Sequence, residues 1–148
     1  MDMMGIIFSN IYDNNMGELT AMRTSASIPF GSRYRQVDFV LSNMANSGIK
    51  SIGIITKYNY QSLMDHLGNC EEWDLKLGDG VRFLPPYATG HTGAYHGKLE
   101  ALQTAMPVLE RSDAEYVVLS DTTVLCAINF RLVVEEHIRS GCDITVIA

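Results

Sequence analysis

Short apolar runs alternate along the chain with stretches of helical period. Residues 6–8, with Met4 and Gly5 before them, predict a first buried strand. Residues 49–56 (IKSIGIIT) predict a second, and 81–84 a short third that Pro85 and Pro86 stop. Residues 116–120 (YVVLS) predict a fourth and 143–147 (DITVI) a fifth. These runs are continuous and rich in β-branched residues, the pattern of strands buried on both faces of a parallel sheet. Between them, Val37, Val40, Leu41, Met44 and Ala45 recur at helical spacing, with Gly48 behind them as a stop. Tyr60, Leu63, Met64 and Leu67 repeat the pattern ahead of Gly68. Leu99, Leu102, Met106 and Leu109 mark a third helix, which Pro107 must kink or end early. Asn129 is placed to N-cap a fourth, running to Arg139 with Gly141 beyond.

Strand and helix therefore alternate throughout. That order predicts one α/β domain over residues 1–148, a mostly parallel open sheet with right-handed crossovers and helices on both faces. One stretch breaks the rhythm, since residues 9–35 carry no evident regular element. Loops this long inside a domain are usually functional or disordered. This one leaves the carboxyl end of the first strand, where open α/β sheets place their ligands. The last apolar run stops at Ala148 with nothing behind it to cover the sheet edge, which reads as a fragment of a longer protein.

Composition changes this picture little. A chain of 148 residues, 47% apolar, is long enough to fold on its own core without disulfides or metal. A net charge of −6 argues against broad binding to nucleic-acid backbones, which needs a basic face. Cys70, Cys126 and Cys142 are odd in number and form no C-x-x-C pair, so they read as reduced, buried thiols of a cytosolic protein. The apolar run at residues 3–8 is too short for an export signal or a membrane span. A cytoplasmic location is expected.

The chemistry of the long loop is more telling. A phosphate-binding loop needs glycines, so that backbone N–H groups can approach the anion, and a Lys or Arg to neutralise it. The segment SNIYDNNMGELTAMRTSASIPF, from Ser9, has one glycine, Gly17, and no Gly-x-Gly. It carries Asp13 and Glu18 but no cation before Arg23. A carboxylate at short range from a triphosphate costs on the order of several kcal/mol even at an effective dielectric near 20. The mouth beyond the first strand is thus expected to offer anionic and neutral groups only.

Three segments carry a resemblance to a known family: IPFGSRYRQVDFVLSNMANSGIKSIGIITKYNYQSL from Ile28, YHGKLEAL from Tyr95 and EYVVLSD from Glu115. Together they resemble the N-terminal domain of glucose-1-phosphate adenylyltransferases, which make ADP-glucose for glycogen. The first segment is long and specific to that family, and the resemblance covers nearly the whole chain. It implies a Rossmann-like sheet of the nucleotide-diphospho-sugar transferase type. Family members carry a left-handed β-helix after this domain, and that part is absent from residues 1–148.

The departures matter as much. The family opens with a loop of the type GGGxGTRLxPLT, and its last glycine falls here on Asp13. The catalytic arginine falls on Asn15, a lysine on Ser25, and the metal-binding aspartate on Thr123 or, shifted, on Asp121. The segment equivalent to GTADA has become Gly97, Lys98, Leu99, Glu100, Ala101. The resemblance therefore implies no catalytic residues and no metal site. The remaining nucleotide-contact positions are Ser9, Asn10, His96, Gly97 and Asp121. Arg33 matches a position where some members hold a lysine that contacts a sugar-phosphate effector.

Each position also has a plainer reading. Arg33 and Arg35 can be solvated arginines pairing with Asp38 or a partner chain. His96 and Gly97 can be helix-start chemistry, with Gly97 present for close packing. Asp121 can cap a turn. His66, His91 and His137 lack metal-ligand spacing and read as surface or satisfied histidines. Trp73 reads as a packing residue.

The combination resembles the regulatory, GlgD-type subunit of bacterial glycogen synthesis. That subunit type pairs with a catalytic adenylyltransferase subunit in a heterotetramer and requires no cofactor of its own. Two alternatives stay open. One is an active adenylyltransferase with a rearranged site, using Mg²⁺ and ATP through Asp121 and Lys98. The other is a sensor of sugar phosphates or nucleotides. No nucleic-acid or membrane partner is expected.

Overall fold

Strand β1 (Met3–Phe8) is the axis of the fold, and from Met4 onward every residue in it is buried. In the computed structural model, which describes residues 1–11, 13–76, 80–86 and 95–148, it pairs in parallel with β4 (Ser51–Ile55) on one side and β6 (Tyr116–Asp121) on the other. Strand β5 (Val81–Leu84) extends the sheet beyond β4, giving the parallel order β5-β4-β1-β6. The first four apolar runs of the sequence are these four strands.

Burial on both faces of the sheet explains the continuous runs of the central strands β1 and β4. It does not explain that of β6 at the sheet edge, where Val117 and Leu119 are nearly half exposed, against the expectation of two buried faces. On one face Ile7, Ile52, Ile54 and Val81 pack against α1 (Gln36–Asn46), α2 (Gln61–Leu67) and Phe130, the first residue of α5 (Phe130–Ser140). On the other, Ile6, Phe8, Ile55 and Leu84 pack against α3 (Lys98–Gln103) and the following α4 (Met106–Leu109) through Ala101, Ala105, Val108 and Leu109. Asn129 caps α5 as expected, its side-chain oxygen accepting the N–H groups of Arg131 and Leu132, and Gly141 closes the helix at φ +64°.

Several expectations need correction. The third predicted helix is two short ones, broken ahead of Pro107, which sits in the first turn of α4. Its sheet-facing positions are the small residues Ala101 and Ala105, while Leu99 is 82% exposed. Phe8, Leu84 and Tyr95 share that layer with the fully buried Ala101 and Ala105, and Leu102, Val108 and Leu109 pack against it only partly buried. Residues 143–147 form no strand. A β-branched run becomes one only where a neighbour takes its N–H and C=O groups, and no described strand pairs with it, leaving Ile144 and Val146 more than 80% exposed. Of the thiols only Cys70 is buried, and burial pushes its pKa up and keeps it inert. Cys126 and Cys142 stand on exposed connecting backbone. His91 lies outside the described residues.

The stretch 9–35 is ordered by short elements that leave no periodic signature. Three single 3₁₀ turns, Asp13–Asn15, Gly17–Thr20 and Ser25–Ser27, lead into β2 (Pro29–Phe30), which pairs antiparallel with β3 (Tyr34–Arg35). Arg35 does not pair its guanidinium with Asp38. It donates to the backbone and hydroxyl oxygens of Ser62 at 2.8 and 2.7 Å, while its backbone N–H goes to Asp38 Oδ2 at 2.8 Å. The other Asp38 oxygen lies 2.6 Å from His66 Nε2, so that histidine is satisfied, as expected.

The closest helix–sheet approach is at Gly5. A Cβ there would lie 2.5 Å from Met44 Sδ of α1. Gly5→Val is expected to cost about 1–3 kcal/mol by overpacking, and Met44→Ala about 2–5 kcal/mol by leaving a cavity. In the double variant the added and removed volumes offset each other. Urea denaturation should give a combined loss smaller than the sum of the two; simple additivity would contradict this packing.

Candidate functional site

The chain leaves β1 toward β4 and β5, then returns across the sheet to place β6 on the other side of β1. The switch point therefore lies between the carboxyl ends of β1 and β6, the place where open α/β sheets bind ligands. Phe8 and Asp121 face each other there, with Ser9 and Asn10 just beyond.

Three of the sequence-derived nucleotide positions, Ser9, Asn10 and Asp121, lie at or next to this mouth, and neighbouring residues bring the other two. The Ser9 hydroxyl is buried and donates to Ile55 O of β4 at 2.7 Å. Asn10 is buried and accepts the Tyr95 hydroxyl at 2.9 Å. Asp121 Oδ2 receives Lys98 Nζ at 2.6 Å. His96 and Gly97 lie between those two contacts, as the start of α3. Gly97 is the N-cap residue, and the His96 N–H donates to Glu100 Oε2 at 2.7 Å. This is helix-start chemistry. Among the described residues nothing lies within 4 Å of a Cβ built at Gly97. Arg33 is on the exposed turn of the β2–β3 hairpin, its guanidinium 5.8 Å from the Tyr34 ring centre. Asn15 is exposed on the first 3₁₀ turn, Ser25 is buried, and Thr123 lies on the connection after β6.

Asp13 governs the loop. Its Oδ1 accepts the Ser25 backbone N–H at 2.8 Å, and its backbone carbonyl accepts the Thr20 hydroxyl at 2.6 Å. The Ser25 hydroxyl donates to Ser9 O at 3.0 Å, which ties the third 3₁₀ turn to the end of β1. Asp13 is 4% exposed and its Oδ2 has no hydrogen-bond partner among the described residues. Burial raises the Asp13 pKa, and the Ser25 hydrogen bonds and the charge of Lys57 pull it partway back. Burial likewise raises that of the Tyr95 phenol, with further contributions from Asp13 and Tyr58.

The expectation of an exclusively anionic and neutral mouth is incomplete. Lys57, two residues beyond the end of β4, donates to Tyr95 O at 3.0 Å and lies over the Tyr58 and Tyr95 rings. Lys98 arrives from α3. Lys98 is ion-paired with Asp121, whereas Lys57 forms no ion pair with a carboxylate among the described residues and acts on Asp13 only through its charge at longer range. The placement rule for strand ends points to Lys57, but local inspection of the first loop does not reach it.

A hollow of about 340 Å³ opens over Asp13, walled by Asn14, Gly17, Thr20, Ala21, Tyr58 and Asn59. A larger groove of about 940 Å³ runs along α1 past Tyr34, Phe39 and Trp73. It lies away from the switch-point residues and takes no part in the site. Trp73 donates its indole N–H to Ser42 and packs on the core, as expected. Among the described residues no group of three or more His, Cys, Asp or Glu could hold a metal ion.

A parallel sheet with a structured loop over its switch point defines an open, Rossmann-like α/β fold. The chain belongs to the nucleotidyl transferase family, whose model matches residues 14–148. It is 40% identical to the glycogen biosynthesis protein GlgD of Bacillus subtilis over 97% of this chain and 42% of that one. It is also 40% identical to GlgD of Geobacillus stearothermophilus, over 98% and 43%. It is 33% identical to a glucose-1-phosphate adenylyltransferase of Thermotoga neapolitana, over 98% and 35%. The chain thus spans less than half the length of these relatives. A solved Bacillus anthracis structure named for glucose-1-phosphate thymidylyltransferase superposes with a TM-score of 0.73 at 19% identity, over 93% of this chain and 50% of that one. That likeness shows the fold.

The raised pKa of Asp13 means that the folded chain holds this proton more tightly than the unfolded chain does. The resulting stability is full below the ordinary carboxylate range and is lost as pH rises through the raised value. Relative to Asp13→Asn, which does not titrate, the wild type should lose stability from acid to neutral pH in urea denaturation. A difference independent of pH would contradict the assignment.

Proposed function

We propose that this chain is the nucleotidyltransferase-like domain of a regulatory subunit in glycogen biosynthesis. Such a subunit transfers no nucleotide itself. It pairs with a catalytic subunit that makes ADP-glucose from ATP and glucose 1-phosphate, and changes that partner's activity. The two GlgD relatives are named for glycogen biosynthesis, and the Thermotoga relative for the adenylyltransferase reaction.

The observation that carries the non-catalytic reading is the Asp13 carboxylate, buried in the loop after β1 and bonded to Ser25 N–H. In-line attack on an α-phosphate depends on positioning and on positive charge aimed at the developing negative charge. Here a backbone donor of the loop is spent on an internal anion. Incoming polyphosphate meets that anion's charge, and Asn15 and Ser25 supply no compensating cation. The residues present do not fit Mg²⁺. Asp121 is a single carboxylate already ion-paired with Lys98, and a hard divalent cation wants several oxygen ligands.

The Lys98–Asp121 contact is the one observation that favours a rearranged active site. It brings together the two residues such a site would use. The same contact cancels their charges, which removes the electrostatic help either would give.

Full-length protein supplied with ATP, Mg²⁺ and glucose 1-phosphate should release pyrophosphate no faster than the background. Added to a catalytic adenylyltransferase subunit, it should change that subunit's rate, substrate affinity or effector response. Robust pyrophosphate release by the protein alone, or no change in any of the three, would overturn the proposal.

A further inference from the structure

The larger groove along α1 has no role at the mouth of the sheet, and hydrogen bonds fix both its walls. On one side the turn Glu71–Trp73 is fastened to α1 by the Trp73 indole, which donates to Ser42 Oγ at 3.0 Å. On the other, Asn43 of α1 holds the connection after β6 with both ends of its amide. Its Nδ2 donates to Cys126 O at 2.8 Å, and its Oδ1 accepts the Ile128 N–H at 3.3 Å. About 940 Å³ lies between these walls, and Phe39, Trp73 and Leu125 line it partly exposed. Phe39 extends the groove into an aromatic ledge. Its ring packs edge-on against Phe30 at 5.6 Å and Tyr34 at 6.1 Å, and both of those rings are half exposed. Exposed aromatic clusters beside a preformed groove mark contacts with other proteins.

Charge selects the occupant. Glu71, Glu72 and Asp74 stand exposed on one wall, and none of them forms an ion pair among the described residues. Lys50 is the one cation among the described lining residues. A second copy of this chain, at a net charge of −6, would set acid against acid. The complementary surface is basic and carries an apolar anchor.

We propose that this groove docks a basic segment of the catalytic partner subunit. Its Lys or Arg side chains meet Glu71, Glu72 and Asp74, and an apolar side chain seats between Phe39 and Trp73. The inference rests on the regulatory reading above and gives that pairing a place on this chain. The acidic wall steers the segment in and sets its register, while the desolvated aromatic floor supplies most of the hold.

The test measures association of the full-length protein with a catalytic adenylyltransferase subunit by calorimetry, at low and high salt. Glu71→Lys with Glu72→Lys should weaken it about tenfold or more at low salt and less at high salt. Ala127→Trp, which plugs the groove without changing its charge, should weaken it by a similar factor at both. Glu110→Lys with Glu115→Lys makes the same charge change on exposed residues away from the groove and should leave affinity unchanged. All of these are surface positions, and an unaltered melting temperature checks that each variant folds. A photo-crosslinking benzophenone side chain in place of Asn46, on the groove's rim, should label a Lys- or Arg-containing peptide of the catalytic subunit. Unchanged affinity in both groove variants, an equal loss in the control pair, or label confined to this chain or a second copy of it would overturn the inference. The regulatory reading survives those results wherever the complex forms and the partner's activity still changes; failure to form any complex would sink both.

Discussion

A carboxylate buried at the end of a parallel sheet is the constraint around which this site is organised. Asp13 sits at 4% exposure with one oxygen bonded to a backbone N–H and the other unmet among the described residues. Taking a charge out of water costs several kcal/mol unless donors and counter-charge compensate. The Ser25 hydrogen bonds and, less, the charge of Lys57 supply part of that compensation, and burial still leaves the Asp13 pKa raised. The two halves of the loop are held to one another by the same residue, through Ser25 at one end and Thr20 at the other. Structure and electrostatics are thus not separable here: the group that shapes the loop is also the group that repels an incoming polyanion.

The sheet makes this arrangement rigid. Ser9 is tied to Ile55 of β4 through both its N–H and its hydroxyl, so the first residue of the loop cannot swing away. Ala26 N–H and the Ser25 hydroxyl both return to Ser9 O. Across the mouth, Tyr95 bonds Asn10, and Lys98 bonds Asp121. Several polar groups at the mouth are turned onto one another, while Asn10 Nδ2 and Asp121 Oδ1 are buried without a hydrogen-bond partner among the described residues.

Much of the fold was legible in the sequence. The four strands, the helices that follow them, the Asn129 cap and the break at Pro107 all follow from period, capping and proline chemistry, although of the four only β1 and β4 are buried on both faces. The misses have physical causes. Leu99 has the right spacing for a core helix, but Ala101 and Ala105 take the sheet side and share that layer with Phe8, Leu84 and Tyr95. Residues 143–147 have strand composition, yet a strand is made by its partner and not by its own residues. The 3₁₀ turns of the loop are built from side-chain bonds such as Thr20 to Asp13, which carry no repeat to detect. Lys98 was already named beside Asp121, but Lys57 was hidden for a topological reason, because the charges at a strand end come from several connections while a sequence is read one connection at a time. Asp13 was visible as an acidic residue in the wrong place for phosphate, but its inward turn onto Ser25 was not.

The account stands or falls on whether this mouth accepts a nucleoside triphosphate. Calorimetric titration of the full-length protein with ATP in excess Mg²⁺ asks that directly. Heats of dilution alone, up to millimolar nucleotide, are the expected result. A saturable isotherm that disappears on Lys57→Met or Asp121→Asn would place Mg²⁺–ATP at the strand ends and contradict it.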